Sequence, residues 1–187
     1  ARAARELFVT RGYGKTQISD IARAVSVATG SIYNLFASKK AIFQYVLRDI
    51  FLENPSGDLR VPVQEEDDHA LLEAVQSKMW SRYAQVLGTG TVRPEDLPPL
   101  REIFAAIYDY VAEFGTGFLI FERNIADWEE FSSMYYKMRG VFFDRFEEYV
   151  DLYIQKGEIR RLKHCQYHAR LIIETVSMWG MHLKYDY

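Results

Sequence analysis

The chain has 187 residues, of which 49% are hydrophobic, 26% charged and 15% aromatic, with a net charge of −3. Those proportions exclude global disorder and supply enough apolar material for an ordinary core. The single cysteine, Cys165, excludes an intramolecular disulfide, and the lack of a cysteine framework predicts a reducing, cytoplasmic setting.

No uninterrupted apolar run of about 18 residues occurs, and the first residues have no signal-peptide layout, so no membrane partner is expected. The chain opens inside a helical pattern without an initiating Met, which predicts native residues before Ala1. The hydrophobic period is helical nearly throughout, and no alternating strand pattern stands out. The predicted first helix runs to about Arg11, with Ala4, Leu7 and Phe8 on one face and Gly12 placed to end it. A second is expected from about Gln17 to Val25, a third from about Gly30 to Phe36, and a fourth after Ser38, a good N-cap. Asn54-Pro55-Ser56-Gly57-Asp58 reads as the clearest break.

Acidic residues Glu65 to Asp68 then open a helix predicted to reach about Leu87, where they complement the helix dipole. Leu100 to Phe114 reads as helix, interrupted at Gly115 and Gly117, with a short helix from Phe118 to about Asn124. Two long helices close the chain: Asp127 to Lys156, ended by Gly157, and His164 to the C-terminus. The expected fold class is all-α: a small three-helix head over residues 1–50, joined by a connecting helix to a larger helical body over 51–187.

Charge is unevenly spread. Residues 1–53 carry eight basic side chains and four acidic ones, a local +4, so the remainder holds −7. A basic head on an acidic body is the asymmetry expected when one end faces phosphates. Within that head, Gln17 to Phe36 reads as two short helices around a tight turn. Ile18, Ile21, Ala22 and Val25 are expected to pack against Val27, Ile32 and Phe36, leaving Thr29, Gly30, Ser31, Tyr33 and Asn34 on the outer face. Lys39 and Lys40 follow one turn beyond, within reach of a DNA backbone.

These residues resemble the TetR family of regulators. The matching text is Leu7-Phe8, Arg11-Gly12-Tyr13, Thr16, Ile18-Ser19-Asp20-Ile21-Ala22, Val27, Gly30, Ile32-Tyr33, Phe36 and Ser38-Lys39, in order over about the first fifty residues. The resemblance implies a homodimer with two DNA heads, a palindromic operator and a body that binds a small effector. It places Thr29, Gly30, Ser31 and Asn34 against bases or the adjoining backbone, and makes Thr16, Gln17, Tyr33 and Lys39 phosphate anchors. Three positions depart from the family pattern. Ser26 stands where the turn normally has Gly, so a left-handed backbone there costs about 1 kcal/mol. Ala28 replaces a common capping Ser, which leaves Thr29 as the candidate cap. Leu35 replaces a frequent aromatic or His.

The body is read from its own residues. Phe131, Met134, Tyr135, Met138, Phe142, Phe146, Tyr149 and Tyr153 recur at helical spacing, as do Leu171, Ile172, Thr175, Met178, Trp179 and His182. Both stripes look wider than one intramolecular partner needs, so Phe142, Phe146, Tyr149, Leu171, Thr175, Met178, Trp179 and His182 are assigned to a dimer interface built as a four-helix bundle. An effector chamber is expected from Trp80, Tyr83, Phe104, Tyr108, Phe118, Phe121, Glu122 and Tyr135, with Glu113, Arg123 and Asn124 as further polar candidates. Rings outweigh charges in that set, which points to an apolar or aromatic small molecule.

Other constellations predict little chemistry. His164 and His168 stand at i and i+4 but lack a third and fourth ligand nearby, and Glu65 to His69 reads as a solvated helix start, so no metal is expected. No Gly-rich phosphate loop, nucleophile elbow or HExxH motif occurs, and neither a cofactor nor an enzymatic activity is expected. The expected function is therefore a DNA-binding transcriptional regulator, a repressor released from its operator by a small ligand. The competing reading is a DNA-platform interaction protein or activator with no small-molecule inducer.

Overall fold

A computed structural model describes residues 1–52 and 60–183. The expected break at Asn54 to Asp58 falls outside the described residues, as does Glu53, where the connecting helix from Ser38 is expected to end. Eight α-helices follow in order: α1 (Arg2–Thr10), α2 (Ile18–Ala24), α3 (Thr29–Tyr33), α4 (Lys39–Phe51), α5 (Asp68–Leu87), α6 (Leu100–Arg123), α7 (Glu129–Lys156) and α8 (Cys165–Ser177). A 3-10 turn covers Pro94–Asp96 and a π-helical turn covers Met178–His182. No strand occurs among the described residues; Phe36 and Val63 form an isolated parallel bridge.

The helix ends have local causes. α1 stops at Gly12, which takes φ +86, a conformation that side chains resist. α2 closes as a Schellman motif: the Val27 N–H donates to the Ala22 carbonyl at 3.0 Å and the Ser26 N–H to the Arg23 carbonyl at 3.1 Å. Ser26 therefore occupies the left-handed position, at φ 56. Ser38 caps α4, its Oγ accepting the Ala41 N–H at 3.0 Å. Gly157, at φ 83, follows the last turn of α7.

Two expectations change. Gly115 and Gly117 do not interrupt a helix; both lie inside α6. They are there for close packing: a Cβ on Gly115 would stand 2.5 Å from Met181 Cβ, and one on Gly117 would stand 2.1 Å from the Phe51 ring. The last helix does not continue regularly, but widens into the π turn, where a Cβ on Gly180 would come 2.9 Å from Val111. α6 is long and apolar enough by composition to cross a membrane, but 56% of its most apolar window is buried inside the protein, the mark of a core helix.

The chain divides into two compact units. Ala1–Met79 forms the first with Thr116–Ser133, and Trp80–Gly115 forms the second with the chain from Met134 on. In the first, Phe8, Phe43, Phe51, Leu71, Phe121 and Phe131 are almost fully buried. In the second, Ile107, Phe114, Phe146, Val150 and Tyr153 are, and Phe142 stacks on Tyr110 with centroids 5.4 Å apart.

Candidate nucleic-acid interface

The helix-turn-helix presents α3 outward. Thr29, Gly30, Ser31 and Asn34 are exposed, Tyr33 is 50% exposed, and Ile32 is the residue of the helix that packs inward. A Cβ on Gly30 would meet nothing within 4 Å, so the backbone there is open to close approach. Every side chain on this outer face is short and polar or a ring with a hydroxyl, which suits contact with base edges and phosphates.

The turn leaves Val25 46% and Val27 43% exposed, contrary to the packing expected for them. Ser26 between them takes a left-handed backbone, and the buried residues of the pair are Ile21, Ala22 and Ile32. Thr29 does not cap α3: Ala28 holds the N-cap position with no side-chain bond, and Thr29 is the first helical residue.

Among the expected phosphate anchors, Gln17 and Tyr33 are exposed, but Thr16 is fully buried. Its hydroxyl donates to the Gly12 carbonyl at 2.7 Å, and its N–H to the Tyr13 carbonyl at 3.2 Å. Thr16 is thus a loop-setting residue and not a surface group. The Gln17 N–H donates to Asp20 Oδ2 at 3.0 Å, which fastens the start of α2. Lys39 donates through Nζ to the Tyr13 and Thr16 carbonyls at 2.9 and 3.1 Å and lies 4.1 Å above the Tyr13 ring. Two of its three ammonium protons are engaged, leaving one for a phosphate. Lys40 is turned elsewhere: its Nζ is 2.6 Å from Asp68 Oδ2 and 3.9 Å from Glu65 Oε2, and the Asp68 hydrogen bond raises its pKa.

That pairing belongs to a polar seam that the sequence did not suggest. Ser38 Oγ donates to Glu65 at 2.6 Å, Gln44 donates to the Glu66 carbonyl at 2.8 Å and to Asp68 at 2.7 Å, and Arg48 pairs with Glu66 at 2.8 Å. The acidic stretch before α5 is therefore a clasp on α4. It offsets part of the head's positive charge, whereas Lys39 takes no part in it.

A second attachment fixes the α1–α2 loop. Asn124, 1% exposed, accepts the Tyr13 N–H on its Oδ1 and donates to the Ile120 carbonyl at 2.6 Å. Asp127 Oδ2 accepts the Gly14 N–H at 3.1 Å. Trp128 stacks on Phe43, with centroids 4.5 Å apart, and meets Tyr13 edge-on at 5.5 Å. Burial and the nearby Glu65 carboxylate raise the pKa of the Tyr13 phenol. Asn124, a candidate effector anchor by sequence, instead holds the head loop through Oδ1 and its own helix through Nδ2. Tyr13 and Gly14 stand 111 and 113 residues before Asn124 and Asp127, so no local pattern could have flagged these ties.

The expected dimer residues separate into two groups. Phe142, Phe146 and Tyr149 are buried within their own unit, and the Tyr149 hydroxyl donates to the Leu87 carbonyl at 2.8 Å. They are core residues, corrected from the interface, because α7 turns that stripe onto its neighbours in the same chain. Leu171 and Trp179, at 65% and 66% exposed, Met178 and Thr175 remain in solvent, and His182 is half-buried. The expected chamber residues also disperse. Phe121 stacks on Phe51 in the first unit, where Phe118 is buried as well and Glu122 half-buried; Tyr83 and Tyr135 are buried in the second, with Trp80 and Phe104 half-buried. Tyr108 is 44% exposed, at odds with a place in an enclosed lining. A cleft of about 510 Å³ runs along Thr89–Val92, Arg145 and Asp151, and another of about 430 Å³ along Thr10–Gly12 and Arg123; neither includes any of the eight chamber residues. No group of His, Cys, Asp and Glu among the described residues could hold a metal ion.

A polar, outward-facing α3 on a small helical head has the geometry of a helix-turn-helix. Residues 2–46 match the family model of bacterial regulatory proteins, tetR family. The whole fold is similar to a ketosteroid transcriptional regulator, KstR2 of Mycobacterium tuberculosis, at TM-score 0.55 and 19% identity over 95% of this chain and 77% of that one. A fatty acid degradation regulator, FadR from Bacillus halodurans, matches at TM-score 0.44 and 16% identity over 100% of this chain and 84% of that one. No curated protein matches the sequence significantly.

Proposed function

We propose that this chain is a cytoplasmic repressor that binds a palindromic operator as a homodimer, through a head over residues 1–50, and is released by a small apolar or aromatic effector held in the body over residues 51–187. The observation that carries the DNA reading is the outward face of α3, where Thr29, Gly30, Ser31, Tyr33 and Asn34 are exposed together on a helix-turn-helix of the family. In this reading Thr29, Gly30, Ser31 and Asn34 meet bases or the adjoining backbone, while Gln17, Tyr33 and the free proton of Lys39 meet phosphates. Two heads about 34 Å apart would enter successive major grooves.

The dimer reading rests on the exposed apolar face of α8 and the π turn, which a second copy would cover. Effector release rests on the aromatic wealth of the body alone. Such release requires that the ligand favour one arrangement of the heads over the other.

Fluorescence anisotropy with genomic fragments around the chain's own gene tests the DNA reading. The double variant Tyr33→Ala, Asn34→Ala is expected to lose at least about tenfold in affinity, at the scale of one or two base or phosphate contacts, with thermal stability unchanged. Equal affinity of variant and wild type would sink the contact assignment. Lys39 is a poor test residue because its removal also frees two loop carbonyls.

A further inference from the structure

We propose that the cleft formed by the end of α1, the α1–α2 loop and the end of α6 is an anion site that takes a phosphate group. The cleft has a volume of about 430 Å³ and is lined by Arg11, Gly12, Gly14, Lys15, Arg123 and Asp127, with Thr10 at its edge. Three cations and one carboxylate give this small space a net charge of +2.

The charges are held without being neutralised. Among the described residues neither Lys15 nor Arg123 has a carboxylate within ion-pair distance; Arg11 reaches Asp20 at 3.9 Å, but Asp20 lies nearer to Arg23, at 3.3 Å, and also accepts the Gln17 N–H. Asp127 is engaged with the Gly14 N–H. What gathers the cations is the backbone. The tie of Asn124 to Tyr13 and of Asp127 to Gly14 fixes the loop against the end of α6, and Arg123 Cγ lies 3.5 Å from where a Gly12 Cβ would stand. The three cations stand exposed around a backbone that these bonds fix, and an anion entering the cleft would offset their mutual repulsion. Two guanidinium forks and an ammonium match the oxygens of a phosphate better than those of a neutral molecule. The open, polar walls argue equally against an apolar occupant.

A phosphate group could come from the DNA backbone or from a free phosphorylated solute. Calorimetric titration of the full chain with inorganic pyrophosphate, and anisotropy of a duplex at several salt concentrations, read both sources in wild type and in Lys15→Gln, Arg123→Gln. A free solute as occupant gives one-site pyrophosphate binding that weakens at least about tenfold in the variant, with DNA binding and its salt slope unchanged. A DNA phosphate as occupant lowers the slope of log affinity against log salt by about 1 to 2 in the variant, and pyrophosphate competes with the duplex. Either result supports the site. Pyrophosphate that binds neither protein, or both equally, together with identical salt slopes, overturns it. The DNA arm rests on the proposed function; wild type that binds no duplex counts against that reading, and the pyrophosphate arm then decides the site alone.

Discussion

Two faces of this protein stand in water for opposite reasons, and burial separates them more sharply than composition does. On α3 the exposed residues are Thr29, Gly30, Ser31, Tyr33 and Asn34, small or polar groups that lose little by facing solvent. On α8 and the π turn they include Tyr167, Leu171, Met178 and Trp179, between 47% and 67% exposed, with Thr175 spending its hydroxyl on the Leu171 carbonyl at 2.8 Å. The first face can remain wet until it meets a hydrated polyanion. The second leaves large apolar side chains unburied, which at roughly 25 cal/mol per Å² favours covering them with another apolar surface. Under the proposed function the first is the surface that exchanges partners and the second the one that does not.

The largest expected effect is on the apolar face. Leu171→Glu with Trp179→Glu should raise the dimer dissociation constant by roughly 100-fold or more, since each places a charge where an anchor would sit. Light scattering after size exclusion reads this as a fall from two chains to one, with helical content preserved. A wild type that is already a single chain would break the comparison.

The next effect concerns what holds the polar face steady. Asn124→Ala leaves the Tyr13 N–H without its buried acceptor, at a cost of about 1–3 kcal/mol. Thermal unfolding should fall by roughly 2–10 °C for a chain of this size. An unchanged midpoint would mean that the Asp127 bond to Gly14 and the Trp128 contact with Tyr13 hold the loop without Asn124.

The smallest effect is at the turn. Ser26→Gly relieves a side chain in the left-handed region, at φ 56, and should stabilise the protein by up to about 1 kcal/mol in urea unfolding. Destabilisation instead would show that the gain in backbone freedom of the unfolded chain outweighs the strain. Cys165 provides a control on the body. Burial, a hydrogen bond to Asp151 and the Asp151 and Glu147 charges push its thiol up to about 12, so alkylation at pH 8 should be at least about tenfold slower than for a free cysteine.

The sequence by itself determined the helical class, the helix-turn-helix between Gln17 and Phe36, and most helix ends, because these depend on neighbours within a few residues. Gly12, Ser26, Ser38 and Gly157 each act through their own backbone or through a cap a turn away, and a local reading finds them. Periodicity could also show that α7 and α8 each carry an apolar stripe. It could not show which stripe faces inward, because that depends on the partner helix: Phe142, Phe146 and Tyr149 proved internal, while Leu171 and Trp179 did not. The glycines of α6 misled for the same reason, since a helix breaker in sequence becomes a packing notch once Met181 and Phe51 press against it. Only tertiary structure placed Asn124, Asp127 and Trp128 against the head loop and turned the acidic run at Glu65–Asp68 into a clasp on α4. Contacts between residues far apart in sequence leave no periodic trace, so they become visible only when the chain closes on itself.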